Sequence, residues 1–564
     1  MNRLSGAEAF VRMLQLHGVR HVFGLCGDTS LPLYDALYRL DHGITHVLTR
    51  DERSAAYMAD AYARVTGRVG VCEGPSGGGA TYILPGVVEA NDSSIPVLAV
   101  TTDIAVAARG HCVLTELDQE TLFRPLTKWN RVIDCADQIP DAVRAAFRHM
   151  TTGRPGAAHL GLPFDVQKDP VDEAAVQADA TLGQFPARRI APDPAAIEAA
   201  VQAILSAERP LLICGGGPVI AGADAELYAL AELLEAPVAT TISGKGAMAE
   251  DHPLALGVVG SNGGTPATRA LVDHADLIVF VGCRAGSVTT ERWRHPQPGK
   301  ARVVHIDVDP AVIGVNYPTE VAVVGDARLA LAAVRDEVAR HVGAPPERPF
   351  GCERVARAKA EKFAAFRELA GSGDAPVRPE RIVATLQDLL PPDTLIVADA
   401  GTPCPYLSAY YELRECGRHF ITNRAHGALG YALPAAVGAH IGRPAVRCVA
   451  IMGDGSFGFA SGELETIARL RLPITMVVIA NATFGWIKAG QRSGFGERYF
   501  AVDFTPGQHA RIAEAYGISA WRVENPVDLR PALIKALEAG APTLVDVVTQ
   551  PLHEAQAPVS EWVA

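Results

Sequence analysis

Cys448-Val-Ala-Ile-Met-Gly-Asp454-Gly-Ser456, with 25 residues between Gly455 and Asn481-Ala-Thr-Phe-Gly485, decides the fold. Cys448–Met452 reads as a buried strand with a tight glycine turn at its end. A helix follows, carrying Glu463, Leu464, Ile467 and Ala468. A second apolar run, Ile474–Ala480, reads as another buried strand. Adjacent parallel strands deliver Asp454 and Asn481 to the same carboxyl edge of a sheet, where open α/β folds bind ligands. A carboxylate, a neutral amide oxygen and a backbone carbonyl at Thr483 make a hard oxygen set. That set suits Mg2+ held partly by phosphate oxygens. The helix start after Gly455 offers N–H groups to a phosphate.

The same alternation of β-rich runs and Ala-rich helices continues over all 564 residues, predicting α/β domains with doubly wound parallel sheets. Three units emerge: 1–170, 190–340 and 378–550. In the first, strands are expected at His21–Gly24, Thr45–Thr49, Val69–Glu73 and Pro96–Thr101. In the second they fall at Pro210–Cys214, Pro237–Thr241, Leu277–Gly282 and Val303–Val308, and in the third also at Thr394–Ala398. Linker-like stretches separate them, from Gln167 to Pro194 and around 343–380. Residues 55–101 and 430–480 share one order of helix, Gly-Arg, strand, glycine-rich turn, helix and X-Pro strand start. This predicts related outer units flanking a different middle one. Ser5-Gly-Ala-Glu8 reads as a capping box.

The net charge of -12, from 63 acidic and 51 basic residues, argues against nucleic acid or an anionic membrane as partner. No apolar run reaches membrane-spanning length, and the first residues do not read as a signal peptide. Ten cysteines without a Cys-x-x-Cys pair suggest reduced core thiols and a cytoplasmic enzyme.

Gly453-Asp454-Gly455 and Asn481 at this spacing resemble the thiamin diphosphate motif. Nearly the whole chain resembles the acetolactate synthase and 2-oxoacid decarboxylase superfamily. That resemblance implies a pyrimidine-binding domain, a central domain and a diphosphate-binding domain. It implies Asp454, Asn481 and Thr483 as Mg2+ ligands, with Gly453, Gly455, Ser456, Phe484 and Gly485 around the cofactor. Gly427-Ala-Leu-Gly-Tyr-Ala-Leu-Pro434 resembles the segment whose apolar residue, here Leu429, props the cofactor into a bent shape. Gly401 and Thr402 match the start of a second diphosphate-contacting loop. Arg50-Asp51-Glu52-Arg53 matches the segment of the activating glutamate, with Asp51 in place of the usual histidine. Glu52 would share its proton with the aminopyrimidine ring, so that the thiazolium carbon can be deprotonated. Burial should raise its pKa. The family's sites form between subunits, which implies at least a homodimer and suggests a homotetramer.

On the substrate side, Glu73, Glu116, His426 and Gln491 are the candidate contacts, with His111 behind them. Glu73 opens the glycine-rich turn Gly74-Pro-Ser-Gly-Gly-Gly79, and Leu114-Thr115-Glu116 replaces the family's Phe-Gln-Glu. Gly490 falls where the synthases carry tryptophan and is expected to widen the channel. The stretch through Trp562 could form a small lid. The expected activity is breaking or making a C–C bond next to the carbonyl of a 2-oxo acid or 2-hydroxyacyl compound. A 2-hydroxyacyl-CoA lyase or oxalyl-CoA decarboxylase is the alternative, and a non-catalytic regulatory or assembly paralogue is the rival of another class. A nicotinamide dehydrogenase does not fit, because Cys26-Gly-Asp-Thr is not a Gly-x-Gly-x-x-Gly turn. Gly215-Gly-Gly217 and Asp307 leave FAD or ADP open for the middle unit.

Overall fold

The computed structural model describes residues 3–341 and 351–562. It holds three six-stranded sheets, each parallel throughout. The N-terminal sheet runs Thr45–Leu48, His21–Gly24, Gly70–Gly74, Val97–Asp103, Ala158–Pro163, Trp129–Val132. The C-terminal sheet runs Phe420–Thr422, Leu395–Ala398, Cys448–Gly453, Ile474–Ala480, Thr543–Val548, Ser519–Val523. Numbered along the chain within each sheet, both have the order 2-1-3-4-6-5. The middle sheet runs Ala255–Val258, Val238–Thr240, Pro210–Cys214, Leu277–Val281, Arg302–Asp307, Val321–Val324, an order of 3-2-1-4-5-6. The expectation of two related outer folds around a different middle one is therefore met. In the outer sheets the order reverses between the first and third strands, and a crevice opens at such a switch point.

Buried parallel strands explain why the apolar runs read so cleanly. Every residue of Pro210–Cys214, Val97–Asp103 and Ile474–Ala480 is buried, as expected for strands covered on both faces. Ser5 and Glu8 form the expected capping box. Asp51 caps the helix Glu52–Thr66, and Gly67 ends it in the left-handed region at φ 67°. The stretch after Gln167 is less of a linker than its composition suggested. Pro170–Asp172 pairs antiparallel with Arg3–Ser5, and Gln184 and Arg188 bridge to Arg68 and Thr152. In the second linker-like stretch, Gly343-Ala-Pro-Pro346 lies outside the described residues, and its charged helix is Gly351–Ala370.

The chain packs as two compact units. One comprises Met1–Arg188, Asn423–Ala445 and Ala460–Leu472, and the other Arg189–Thr422, Val446–Phe459 and Pro473–Ala564. Within the first, the helix Ala432–Gly442 lies directly on Glu52–Thr66. A Cβ at Gly438 would stand 2.0 Å from the Met58 carbonyl oxygen. The clash is with backbone, so relief requires separating the helices. Gly438→Val is expected to destabilise the fold by about 1–3 kcal/mol. Urea unfolding would show a lowered midpoint, and an unchanged midpoint would refute the close packing.

Candidate active site

The strands Cys448–Gly453 and Ile474–Ala480 pair in parallel, with Gly453 opposite Ile479. Asp454 and Asn481 follow directly. Asp454 is 5% exposed, and three backbone donors hold its carboxylate. Gly455 N–H donates to Oδ1 at 2.9 Å, while Asn481 and Ala482 N–H donate to Oδ2 at 2.8 and 2.6 Å. Burial raises its pKa, and these N–H groups oppose the rise. Ala482 takes a φ of 53° to turn its N–H inward. The Asn481 side chain shows the opposite pattern: both Oδ1 and Nδ2 are buried without a hydrogen-bond partner. A buried polar atom left unpaired is costly. An oriented carboxylate beside an unsatisfied amide oxygen fits a hard cation with oxygen ligands. The Thr483 carbonyl accepts from Gly485 N–H at 2.9 Å and keeps a second lone pair. The Thr483 hydroxyl is spent on Val502 O.

The loop after Leu395–Ala398 meets this edge from the neighbouring strand. Thr402 Oγ1 comes within 3.5 Å of where a Cβ of Gly485 would be. Phe484 packs its ring over Gly455, so a side chain there would displace it. Cβ positions at Gly401 and Gly453 meet nothing within 4 Å. Ser456 is buried in the short helix beginning at Asp454. These residues therefore lie at one carboxyl edge of the sheet, with open backbone at Gly401 and Gly453.

The other outer unit carries Glu52 as the first residue of its helix. Glu52 is 6% exposed, and burial raises its pKa, with Asp51 adding to the rise. Asp51 is turned away from it, accepting from Arg53 N–H and pairing with the Arg53 guanidinium. Glu73 is the penultimate residue of the strand Gly70–Gly74 and is buried, with one oxygen accepting from Ser30 and the other from Tyr34.

Several anchoring residues are invisible in the sequence. Glu463 accepts from Arg50 N–H at 2.9 Å, just before Glu52. Glu89 accepts from His426 N–H at 2.7 Å and from Ala425 N–H at 3.4 Å, directly before Gly427 and Leu429. Arg64 pairs with both Glu89 and Asp60, and the Tyr431 hydroxyl donates to Asp60. Only the Asp60–Arg64 spacing of four along a helix carried a local signal.

The candidate substrate contacts are scattered. Glu116 and His111 sit in an exposed loop, and Glu116 accepts from Gly110 N–H. The His426 side chain is exposed. The Gln491 amide is bonded in both directions to the Phe500 backbone. The opening expected at Gly490 is filled: the Trp562 Cβ lies 3.6 Å from where a Gly490 Cβ would be. Trp562 also stacks edge-on against Trp486, whose Nε1–H donates to its carbonyl. In the middle unit, the glycine turn makes room for backbone. A Cβ at Gly215 would come 2.1 Å from Gly282 O. Asp307 accepts from Asp309 N–H.

Three domain families match the chain: thiamine pyrophosphate enzyme, N-terminal TPP binding domain over 4–122, central domain over 197–334, and C-terminal TPP binding domain over 399–547. A probable acetolactate synthase large subunit of Methanocaldococcus jannaschii is 35% identical over 558 residues, covering 97% of this chain and 92% of that protein. A probable acetolactate synthase large subunit of Methanococcus aeolicus is likewise 35% identical, over 97% of this chain and 92% of its own. The acetolactate synthase of Arthrospira platensis is 34% identical over 97% and 94%.

Proposed function

The chain belongs to the thiamine pyrophosphate enzymes and is acetolactate-synthase-like; from that premise we propose a Mg2+-dependent carboligase or decarboxylase acting on a 2-oxo acid. The observation that carries the reading is the locked Asp454 carboxylate beside the unsatisfied Asn481 amide. Asp454, Asn481 and the Thr483 carbonyl would hold Mg2+ and, through it, the diphosphate. Gly401, Thr402, Gly453, Gly455, Ser456, Phe484 and Gly485 would line that end. Gly427 and Leu429 would support the cofactor's middle.

When bound, thiamin diphosphate supplies a carbon nucleophile that adds to a carbonyl and stores the electron pair released as a C–C bond breaks. Burial raises the pKa of the Glu52 carboxyl, which favours its protonated form. It can lend that proton to a ring nitrogen and take it back. The dry surroundings of Glu52 keep the exchange from being short-circuited by water.

The assembly we infer is a homodimer or homotetramer in the cytoplasm, with Glu52 of one copy serving the cofactor gripped by Asp454 of another. No described helix is long and apolar enough to cross a membrane. Mixing two inactive variants, Glu52→Gln and Asp454→Ala, should restore part of the activity through hybrid assemblies. No recovery would refute sharing between copies.

The function is tested by incubating the purified protein, thiamin diphosphate and Mg2+ with pyruvate, other 2-oxo acids and CoA-linked substrates, recording carbon dioxide and product mass. Turnover of pyruvate to a five-carbon ketol acid is expected. Turnover of CoA thioesters alone would favour the acyl-CoA lyase reading, and no turnover at all would favour a non-catalytic subunit. Chelation by EDTA is expected to abolish activity, and added Mg2+ to restore it. Activity that survives exhaustive chelation would refute the metal assignment. A visible spectrum of the purified protein decides whether the middle unit carries flavin.

A further inference from the structure

Glu73 is a deeply buried acid of the unit carrying Glu52. It is 1% exposed. Ser30 Oγ–H donates to Oε1 at 2.6 Å and Tyr34 Oη–H to Oε2 at 2.8 Å. Tyr34 Oη also lies 2.8 Å from His46 Nε2, with the two rings edge to face. His46 is partly exposed on the strand Thr45–Leu48. A hydrogen-bonded chain thus runs from near the surface through Tyr34 to a buried carboxyl. The space for that carboxyl is made by Gly24, where a Cβ would stand 2.7 Å from Oε2. The next residue, Gly74, does the same for Glu52, whose Cγ lies 3.2 Å from its would-be Cβ. One strand end therefore seats two acids beside each other.

We propose that Glu73 is a positioning acid whose charge, exchanged with solvent through Tyr34 and His46, sets how firmly Glu52 holds its proton. The proposal rests on the reading of Glu52 as the activating acid. Two carboxyls sharing a dry site resist ionising together, so the charge on one raises the proton affinity of the other. The titratable groups that face Glu73 are Tyr34, His46, Cys26 and Cys72, with Glu52 and, beyond it, Asp51. No cation pairs with Glu73 among the described residues. Burial pushes the Glu73 carboxyl up to about 7, against the pull of the Ser30 and Tyr34 hydroxyls and with a further push from Glu52. Burial lowers His46 to about 4, so it is neutral and able either to give or to accept the Tyr34 proton. Near neutral pH, Glu73 thus changes charge beside Glu52.

The test is infrared titration of the protonated carboxyl band in the protein without thiamin diphosphate, so it does not depend on turnover. The wild type should lose buried carboxyl signal in two coupled steps. In Glu73→Gln, the step that Glu52→Gln removes should move to lower pH by about one unit or more. In Tyr34→Phe, Glu73 loses a donor to its ionised form. Its step should rise and that of Glu52 should fall. With thiamin diphosphate and Mg2+ restored, the alkaline limb of the turnover profile of Glu73→Gln should move down with the Glu52 step. An unmoved Glu52 step in a Glu73→Gln protein that unfolds at the wild-type temperature would overturn the proposal. If Glu73→Gln does not fold, Tyr34→Phe decides: both steps staying put would overturn it equally. Full activity of Glu52→Gln would instead refute the role of Glu52 and leave the measured coupling intact.

Discussion

Glu52→Gln is expected to lower turnover by about 10²–10⁴-fold, the usual contribution of a positioned proton-transfer group, while leaving bound thiamin diphosphate near the wild-type amount. The amide keeps the size of the side chain and can still donate a hydrogen bond. It cannot surrender a proton and recover it. Because Glu52 sits at the first turn of its helix, capped by Asp51 rather than by itself, the substitution leaves the helix start intact. The loss should therefore fall on kcat rather than on folding. The pH profile carries the same signature. Glu52 must be protonated to act, and its pKa is raised, so wild-type activity should persist above the ordinary carboxylate range and fall as pH rises through the shifted value. The residual activity of Glu52→Gln should lack that limb. Turnover within a few-fold of wild type would refute the assignment.

Asp454→Ala should have the opposite effect, abolishing cofactor retention. Three N–H groups now converge on a carboxylate. Alanine leaves them without an acceptor and removes the only anionic ligand among Asp454, Asn481 and Thr483. A wild-type protein at a hundredfold excess of ligand over Kd gains about 2.7 kcal/mol of stability. Thermal unfolding with and without thiamin diphosphate and Mg2+ should show that gain in the wild type and none in Asp454→Ala. Asn481→Ala should keep part of it, since the Asn481 backbone N–H still braces Asp454. Equal cofactor-dependent shifts in wild type and Asp454→Ala would refute the metal site.

The sequence was most legible where a strand is buried on both faces. His21–Gly24, Pro210–Cys214 and Ile474–Ala480 were expected with the bounds the structure shows, and Cys448–Met452 falls one residue short of the observed Cys448–Gly453. Such strands are continuous apolar runs with turn residues at their ends. Edge strands such as Trp129–Val132, only partly buried, and Ser519–Val523 lack that pattern and were not expected. The strand-end positions of Asp454 and Asn481 were legible because each directly follows a buried strand. The surroundings of Gln491 and Gly490 were not legible because they come from elsewhere in the chain: Phe500 bonds the amide of one, and Trp562, 72 residues further on, lies beside the other.

By itself, the sequence determined the order of strands and turns and the residue types at the strand ends, and the resemblance of those motifs to a known family supplied the class of cofactor. Those are local matters, because backbone geometry places whatever follows a buried strand at the sheet's carboxyl edge. Only the tertiary structure decided which of these groups are held and charged for their task. Glu463 reaches Arg50 across 413 residues, Glu89 reaches His426 across 337, and Glu73 meets Tyr34 across 39. Hydrogen bonding and desolvation depend on distance in space. No spacing along the chain encodes which buried carboxyl keeps its proton.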